Sequence, residues 1–148
     1  MSIRINKLFV NQMSGNVAAP SVVNVADLRA LAKKRLPQMV FDYIDSGADR
    51  EQTLSQNCTA FNQIYFRPRC AVSTPSCDLG INVIEQKFEL PFLLAPVGSS
   101  RMFYPKGEVV AAREAGIVGT GYTLSTLSGC RLEEVKAATN FPAWYQLY

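Results

Sequence analysis

The first half of the chain carries apolar residues at a helical period. Asn24 precedes apolar positions spaced for one helix face and is expected to cap a helix. Pro37 can open a second helix, which Gly47 ends, and a third helix is expected over residues 51–62. Residues 64–69 contain a proline and are expected to form an extended edge segment. The apolar stripe of the second helix consists of Met39, Val40, Tyr43 and Ile44.

From residue 81 the pattern changes to short apolar runs between turns. Residues 81–84 and 87–90 flank a polar pair and predict a hairpin. Residues 92–95 are entirely apolar and are bounded by Pro and Gly, which predicts a strand covered on both faces, as in a parallel sheet. Strands and helices then alternate every ~25 residues, which indicates an α/β fold. The later elements are a helix over 108–115 closed by Gly116, a strand over 120–124, a helix over 132–138 and a strand over 143–148.

The composition is that of a globular protein, with 48% hydrophobic and 18% charged residues among 148. The net charge is +3, and the one dense basic cluster, residues 33–35, is expected to be a solvated helix face, so we expect no nucleic-acid partner. The chain has no histidine and its four cysteines are scattered, which argues against a zinc site. Reduced thiols in a cytoplasmic protein are the preferred interpretation.

The first 23 residues show no sustained period and contain no acidic residue. We expect residues 1–23 to be a flexible extension, in preference to a transit peptide, and residues 24–148 to be the folded part. No apolar run has the length of a transmembrane helix. Peripheral association with a membrane is left open.

Three strands with their helices do not complete a parallel α/β domain. A (β/α)8 barrel takes ~250 residues. We therefore expect this sequence to hold an N-terminal helical segment and about the first three βα units of such a barrel.

Seven collinear segments carry a resemblance: LPQMVFDYIDSGAD (36–49), FRPR (66–69), LPFLLAPVG (90–98), PKGE (105–108), TLST (123–126), LEEV (132–135) and WYQLY (144–148). Together they resemble the FMN-dependent α-hydroxy acid dehydrogenase/oxidase family. The resemblance implies a TIM barrel with an N-terminal helical segment. It also implies FMN as cofactor and oxidation of an (S)-2-hydroxy acid to the 2-oxo acid, by hydride transfer to flavin N5. The full-length protein is expected to be a homo-oligomer, and the electron acceptor (oxygen, quinone or cytochrome) is left open.

The resemblance assigns five residues to the cofactor. Ala95, Pro96 and Val97 match the strand-end segment whose backbone lies against the flavin, and Val97 stands where many members have threonine. Ser125 and Gln146 match residues that hydrogen-bond the flavin ring. Without the resemblance, Ser125 would be read as a strand-end turn and Gln146 as a barrel-interior packing residue.

Four further residues are assigned to the substrate by the same resemblance. Tyr43 and Tyr148 match tyrosines that help bind the substrate carboxylate, although Tyr43 alone would be read as a core residue. Gly98 and Leu127 align with positions that contact the substrate side chain. Because both are expected to leave room above the flavin, the hypothesis is a substrate larger than glycolate, either lactate or a longer or aromatic 2-hydroxy acid.

The catalytic histidine, lysine and arginine that the resemblance implies are expected beyond residue 148, since the chain has no histidine. The 148 residues alone are therefore expected to be inactive and to bind FMN weakly. Two alternatives stay open: another FMN barrel, such as the type 2 isopentenyl diphosphate isomerase, and a truncated non-catalytic protein.

Overall fold

A computed structural model describes residues 22–73 and 76–148, in two units that divide after Asp45. The extension expected over residues 1–23 lies outside the described residues except for Val22 and Val23, which are exposed. Each unit is described by itself.

The first unit contains helices α1 (Val25–Arg35) and α2 (Gln38–Asp45). Asn24 caps α1 as the sequence predicts. Its side chain accepts a hydrogen bond of 3.0 Å from the backbone N–H of Asp27, whose carboxylate accepts one of 3.2 Å from the Asn24 N–H. The Asp45 carboxylate accepts two bonds from the Arg29 guanidinium, at 2.5 and 2.6 Å. These hydrogen bonds, with the positive charge of Arg29, lower the pKa of Asp45.

The apolar stripe expected on α2 is not its buried face. Phe41 is 4% exposed, whereas Met39 is 82% exposed. The Arg29 guanidinium and the Lys33 ammonium lie 5.8 and 5.9 Å from the centroid of the Phe41 ring, so the long basic side chains of α1 cover this ring. The basic cluster at the end of α1 is exposed, as the sequence predicts.

The second unit begins with α3 (Gln52–Thr59), followed by a 3₁₀ turn at Ala60–Gln63. The third predicted helix is thus present, with its last turn tightened. Residues 64–69, expected to be an extended edge segment, lie outside the described sheets, and the Phe66 side chain is fully exposed. No described strand pairs with this segment, and Pro68 removes one of the backbone donors that pairing would need.

A parallel sheet forms the centre of the second unit. Its strands are β3 (Leu93–Leu94), β4 (Gly121–Leu124) and β5 (Ala143–Tyr145), in spatial order β3-β4-β5. Helix α4 (Gly107–Ile117) connects the first pair and α5 (Leu132–Ala137) the second, while a 3₁₀ turn lies at Ser100–Met102. The predicted strand–helix alternation is therefore confirmed.

The core of this unit lies around β4. Tyr122 and Leu124 of β4 pack with Ala112 and Ala115 of α4 and with Val135 of α5. The expectation that residues 92–95 are covered on both faces is wrong in the described chain, where Phe92 is 52% and Leu94 36% exposed. The buried side chains of α4 and α5 pack on Tyr122 and Leu124 of β4, and among the described residues β3 contributes none to that cluster.

Gly116 does not close α4, contrary to the expectation from sequence. The helix continues to Ile117, and a Cβ at Gly116 would collide with the Thr139 side chain. The glycine with a left-handed backbone is Gly119, at φ +81°. Gly116 therefore permits close packing and Gly119 makes the turn into β4.

A hairpin of β1 (Ile81–Val83) and β2 (Gln86–Phe88) lies beside the amino ends of the parallel strands. The Phe88 ring is buried and meets the Trp144 ring edge-on at 6.2 Å. The Trp144 Nε1–H donates to Gln86 Oε1 at 2.8 Å. A Cβ at Gly121 would overlap the Phe88 ring, so the hairpin lies directly against the start of β4.

The two-residue turn of this hairpin is strained. Ile84 and Glu85 have φ values of 49° and 60°, as a type I′ turn requires at both central positions. A β-branched residue is poorly suited to that region, because its side chain crowds the backbone. Ile84 is also 80% exposed, so burial offsets little of this cost.

We predict that Ile84→Asn raises the free energy of unfolding by about 1 kcal/mol, because asparagine tolerates the left-handed region. Urea denaturation at constant m-value measures the change. Ile84→Val keeps the β-branch and should leave stability within about 0.5 kcal/mol of the wild type. Equal stability of the Asn and Val variants would contradict the strained-turn interpretation.

Candidate functional site

The carboxyl ends of the three parallel strands bring most of the candidate residues to one edge of the sheet. Residues 95–98 follow β3, Ser125 follows β4 and Gln146 follows β5. The backbone N–H of Gln146 donates to Leu124 O at 2.9 Å, which extends the pairing of β4 and β5 beyond the strands. This edge is where parallel α/β folds bind their ligands.

Ser125 and Gln146 are in direct contact at this edge. The Ser125 hydroxyl donates to Gln146 Oε1 at 3.4 Å and accepts from the Leu127 N–H at 3.1 Å. Ser125 is 3% exposed. The Thr126 hydroxyl donates to the Gln146 carbonyl, which ties the backbone of Gln146 to the same loop. Ser125 thus holds the side chain of Gln146, and Thr126 holds its backbone.

Gly98 and Leu127 join the loop after β3 to the loop after β4. A Cβ at Gly98 would stand 3.2 Å from Leu127 Cβ and 3.6 Å from Ser125 Oγ. The Ser99 N–H donates to Leu127 O at 2.9 Å. The space beside Gly98 therefore faces Leu127 and Ser125, and the size of one residue limits the position of the other.

Residues 95–97, directly after β3, are at least partly exposed. Ala95 is exposed, Pro96 is half-buried and Val97 is 49% exposed. The Val97 carbonyl accepts from the Ser100 hydroxyl at 3.0 Å, so the segment is fastened at its end.

The two candidate tyrosines are both exposed. Tyr148 lies two residues after Gln146 and is 78% exposed. Tyr43 lies on α2 in the first unit and is 66% exposed. The structure brings together Gly98, Ser125, Leu127 and Gln146 in the second unit, whereas Tyr43 belongs to the first unit.

Sequence reasoning missed a buried carboxylate beneath this edge. Glu108, in the first turn of α4, has no exposed surface. It accepts bonds from Gly129 N–H at 3.0 Å, Ser128 Oγ at 3.5 Å and Cys130 Sγ at 3.4 Å. Glu108 stands four residues before Ala112 and seven before Ala115 on the apolar face of α4, which is the signal that could have identified it.

Hydrogen bonding keeps Glu108 charged despite its burial. Desolvation acts to raise the pKa of Glu108, but the Gly129 N–H, the Glu108 backbone N–H, Cys130 and Ser128 together lower it below its ordinary value. Burial raises the pKa of Tyr122 to about 12, and the charges of Glu108 and Cys130 act in the same direction. Burial and the bond to Glu108 also raise the pKa of the Cys130 thiol. The cluster is one anion beside two neutral acids.

Within residues 22–73 and 76–148, no group of three His, Cys, Asp or Glu side chains could hold a metal ion. In the same ranges no helix combines the length and apolar character needed to cross a bilayer. Cys58, Cys70, Cys77 and Cys130 are free thiols, and only Cys130 is partly buried.

Comparison with known proteins gives consistent results. Residues 32–148 match the family described as FMN-dependent dehydrogenase. The chain is 41% identical over 127 residues to an L-lactate dehydrogenase of Bartonella tribocorum, covering 86% of this chain and 33% of that protein. It is 37% identical to a glycolate oxidase of Spinacia oleracea, covering 86% of this chain and 34% of that protein.

Solved structures show the same relationship. A soluble mutant of the membrane-associated (S)-mandelate dehydrogenase of Pseudomonas putida superposes with a TM-score of 0.79 at 35% identity, covering 86% of this chain and 37% of that one. A mandelate oxidase gives a TM-score of 0.79 at 35% identity, with the same coverage of 86% and 37%. The chain spans about a third of the length of these relatives. The predicted α/β fold, part of a (β/α)8 barrel, is confirmed.

The buried tyrosine of the Glu108 cluster leads to a pH prediction. The pKa of Tyr122 is about 12 when folded and 10.0 as a free side chain, so the unfolded chain loses this proton first. This contribution to stability is complete below pH 10 and is lost as the pH rises through 12. From pH 9 to about 11.5, the free energy of unfolding should fall by about 2 kcal/mol more in the wild type than in Tyr122→Phe.

Chemical denaturation of both proteins across that pH range measures the difference, since other titrating groups are common to the two. Parallel stability profiles for wild type and Tyr122→Phe would contradict the assignment.

Proposed function

Because the chain belongs to the FMN-dependent dehydrogenase family, we propose that the protein containing it oxidises an (S)-2-hydroxy acid to the 2-oxo acid with FMN. The observation that carries this proposal is the Ser125–Gln146 pair, which lies with residues 95–98 at the carboxyl edge of the parallel sheet. Relatives named for lactate, glycolate and mandelate support the substrate class, since all three are 2-hydroxy acids.

The polar groups at this edge fit the ring of FMN. A flavin pyrimidine edge presents carbonyl acceptors and an N–H donor, and the Gln146 amide and Ser125 hydroxyl can each donate and accept. The exposed segment of Ala95, Pro96 and Val97 provides a surface on which a flat ring can rest. FMN, when bound, accepts the α-hydrogen and its electron pair as a hydride at N5.

We assign substrate binding to four residues of this chain. The phenol groups of Tyr43 and Tyr148 are exposed and able to donate hydrogen bonds to the substrate carboxylate. Gly98 and Leu127 are assigned to the substrate side chain. A Cβ at Gly98 would stand 3.2 Å from Leu127 Cβ, so the two positions together set the room for that side chain, and we propose lactate or a larger 2-hydroxy acid.

We also propose that residues 24–148 are the N-terminal part of the catalytic domain and residues 1–23 an extension. The 148 residues contain no histidine, so the group that accepts the substrate hydroxyl proton is assigned to residues outside them. This chain by itself should not turn over substrate. We further propose that the full-length protein is a cytoplasmic homo-oligomer without a nucleic-acid partner. Peripheral membrane association and the identity of the electron acceptor are left open.

The product of the complete reading frame tests the proposed reaction. Purified protein should carry flavin absorbance that bleaches when it is mixed anaerobically with L-lactate or (S)-mandelate, because the hydride reduces the ring. Glycolate should reduce it more slowly than the better of these two acids. A flavin that no 2-hydroxy acid reduces would overturn the proposal, and faster reduction by glycolate would overturn only the substrate-size assignment.

The cofactor assignment has a separate test in the same protein. Ser125→Ala removes one hydrogen-bonding group from the flavin site and should raise the dissociation constant of FMN by roughly 5- to 10-fold, as measured by fluorescence titration. Ser55→Ala, at an exposed position on α3, is the matched control and should not change it. Unchanged FMN affinity in Ser125→Ala would remove Ser125 from the site.

A further inference from the structure

The Glu108 side chain accepts its side-chain and loop hydrogen bonds from one loop of the candidate site. The segment concerned is residues 125–130, named here the β4 loop, which links β4 to α5. The Gly129 N–H and the Cys130 thiol of this loop donate to the Glu108 carboxylate at 3.0 and 3.4 Å. Ser128 Oγ lies 3.5 Å from the same carboxylate, and its hydroxyl is also within 2.9 Å of Cys130 O. A carboxylate without exposed surface requires such donors, because burial removes its hydration.

Gly129 is held on both sides of its backbone. Its N–H donates to Glu108 Oε1 at 3.0 Å, and its carbonyl accepts from Arg101 Nη1 at 2.8 Å. A Cβ at Gly129 would collide with the Arg101 side chain, so the basic chain lies directly on this residue. An anion and a cation thus fix the two ends of one residue, while the cation itself is exposed.

The same loop carries the candidate site residues, and short local bonds transmit its position to them. Ser128 N–H donates to Ser125 O at 3.1 Å, and Leu127 N–H donates to Ser125 Oγ at 3.1 Å. Leu127 O accepts from Ser99 N–H at 2.9 Å. A shift of residues 128–130 would therefore move Ser125 and Leu127.

We propose that Glu108 is a positioning residue that holds the β4 loop so that Ser125 and Leu127 face the cofactor and the substrate. This inference rests on the proposed function. Glu108 acts through the loop and makes no contact with the cofactor in this scheme. Its place in the first turn of an eleven-residue helix also favours the negative charge.

Replacement of Glu108 by Gln tests the proposal in the product of the complete reading frame. The carboxylate only accepts hydrogen bonds, whereas an amide places an NH₂ donor against the loop donors. The β4 loop should loosen. Amide exchange at Gly129 and alkylation of the Cys130 thiol should each accelerate by roughly tenfold, while exchange at Leu124 and Val135 in the core should stay slow.

The dissociation constant of FMN should rise by roughly tenfold in Glu108→Gln. When Glu108→Gln is added to Ser125→Ala, the further rise in the FMN dissociation constant should be much smaller than in the wild-type background, because Glu108 acts through Ser125. A merely structural role would give additive losses. The control is Glu114→Gln on the same helix, where the removed charge pairs with exposed Arg113, and it should change none of these quantities.

Each outcome decides the matter. Slow Gly129 exchange in Glu108→Gln, or a loosened loop with wild-type FMN affinity, would overturn the positioning role. If Glu108→Gln does not fold, Glu108→Asp keeps the negative charge but draws the carboxylate back from the loop by one methylene, and it should give the same changes at about two- to threefold. A wild-type protein that binds no FMN would instead overturn the proposed function, and the exchange and alkylation data would still report on the loop.

Discussion

The pairing of β4 with a parallel strand on each side is the constraint on which the second unit depends. It places Tyr122 and Leu124 against α4 and α5, and their burial with small residues of α4 makes the core. The same pairing brings the ends of all three strands to one edge. Stability and site geometry therefore have a common origin in the register of a four-residue strand.

Sequence patterns predicted most elements because each has a local cause. The Asn24 cap, the strand–helix alternation and the hairpin follow from neighbouring residues alone. The errors are positional. Which of three apolar strands is central, which face of α2 is buried, and whether Gly116 ends a helix or permits contact with Thr139 all depend on residues distant in sequence.

The candidate site shows the same division. The resemblance supplied Ser125, Gln146, Gly98 and Leu127, and the parallel sheet brings them together. It did not reveal the Glu108 cluster, since a lone acid in the first turn of a helix is ordinarily a solvated residue. Its significance depends on donors from residues 128–130, twenty positions further along, and sequence spacing gives no sign of them.

The hairpin against Gly121 gives the two ends of the sheet different responses to mutation. Phe88 lies against Gly121 at the amino end of β4, about 13 Å of strand away from Ser125, whereas Trp144 lies opposite Thr123 in the middle of the β4–β5 pair. We therefore expect changes at Phe88 to alter packing at the amino end of β4 and changes in the loops after the strands to act at the ligand edge. Loop substitutions in such a fold can therefore change substrate preference while the Phe88–Trp144 contact maintains the packing of the sheet.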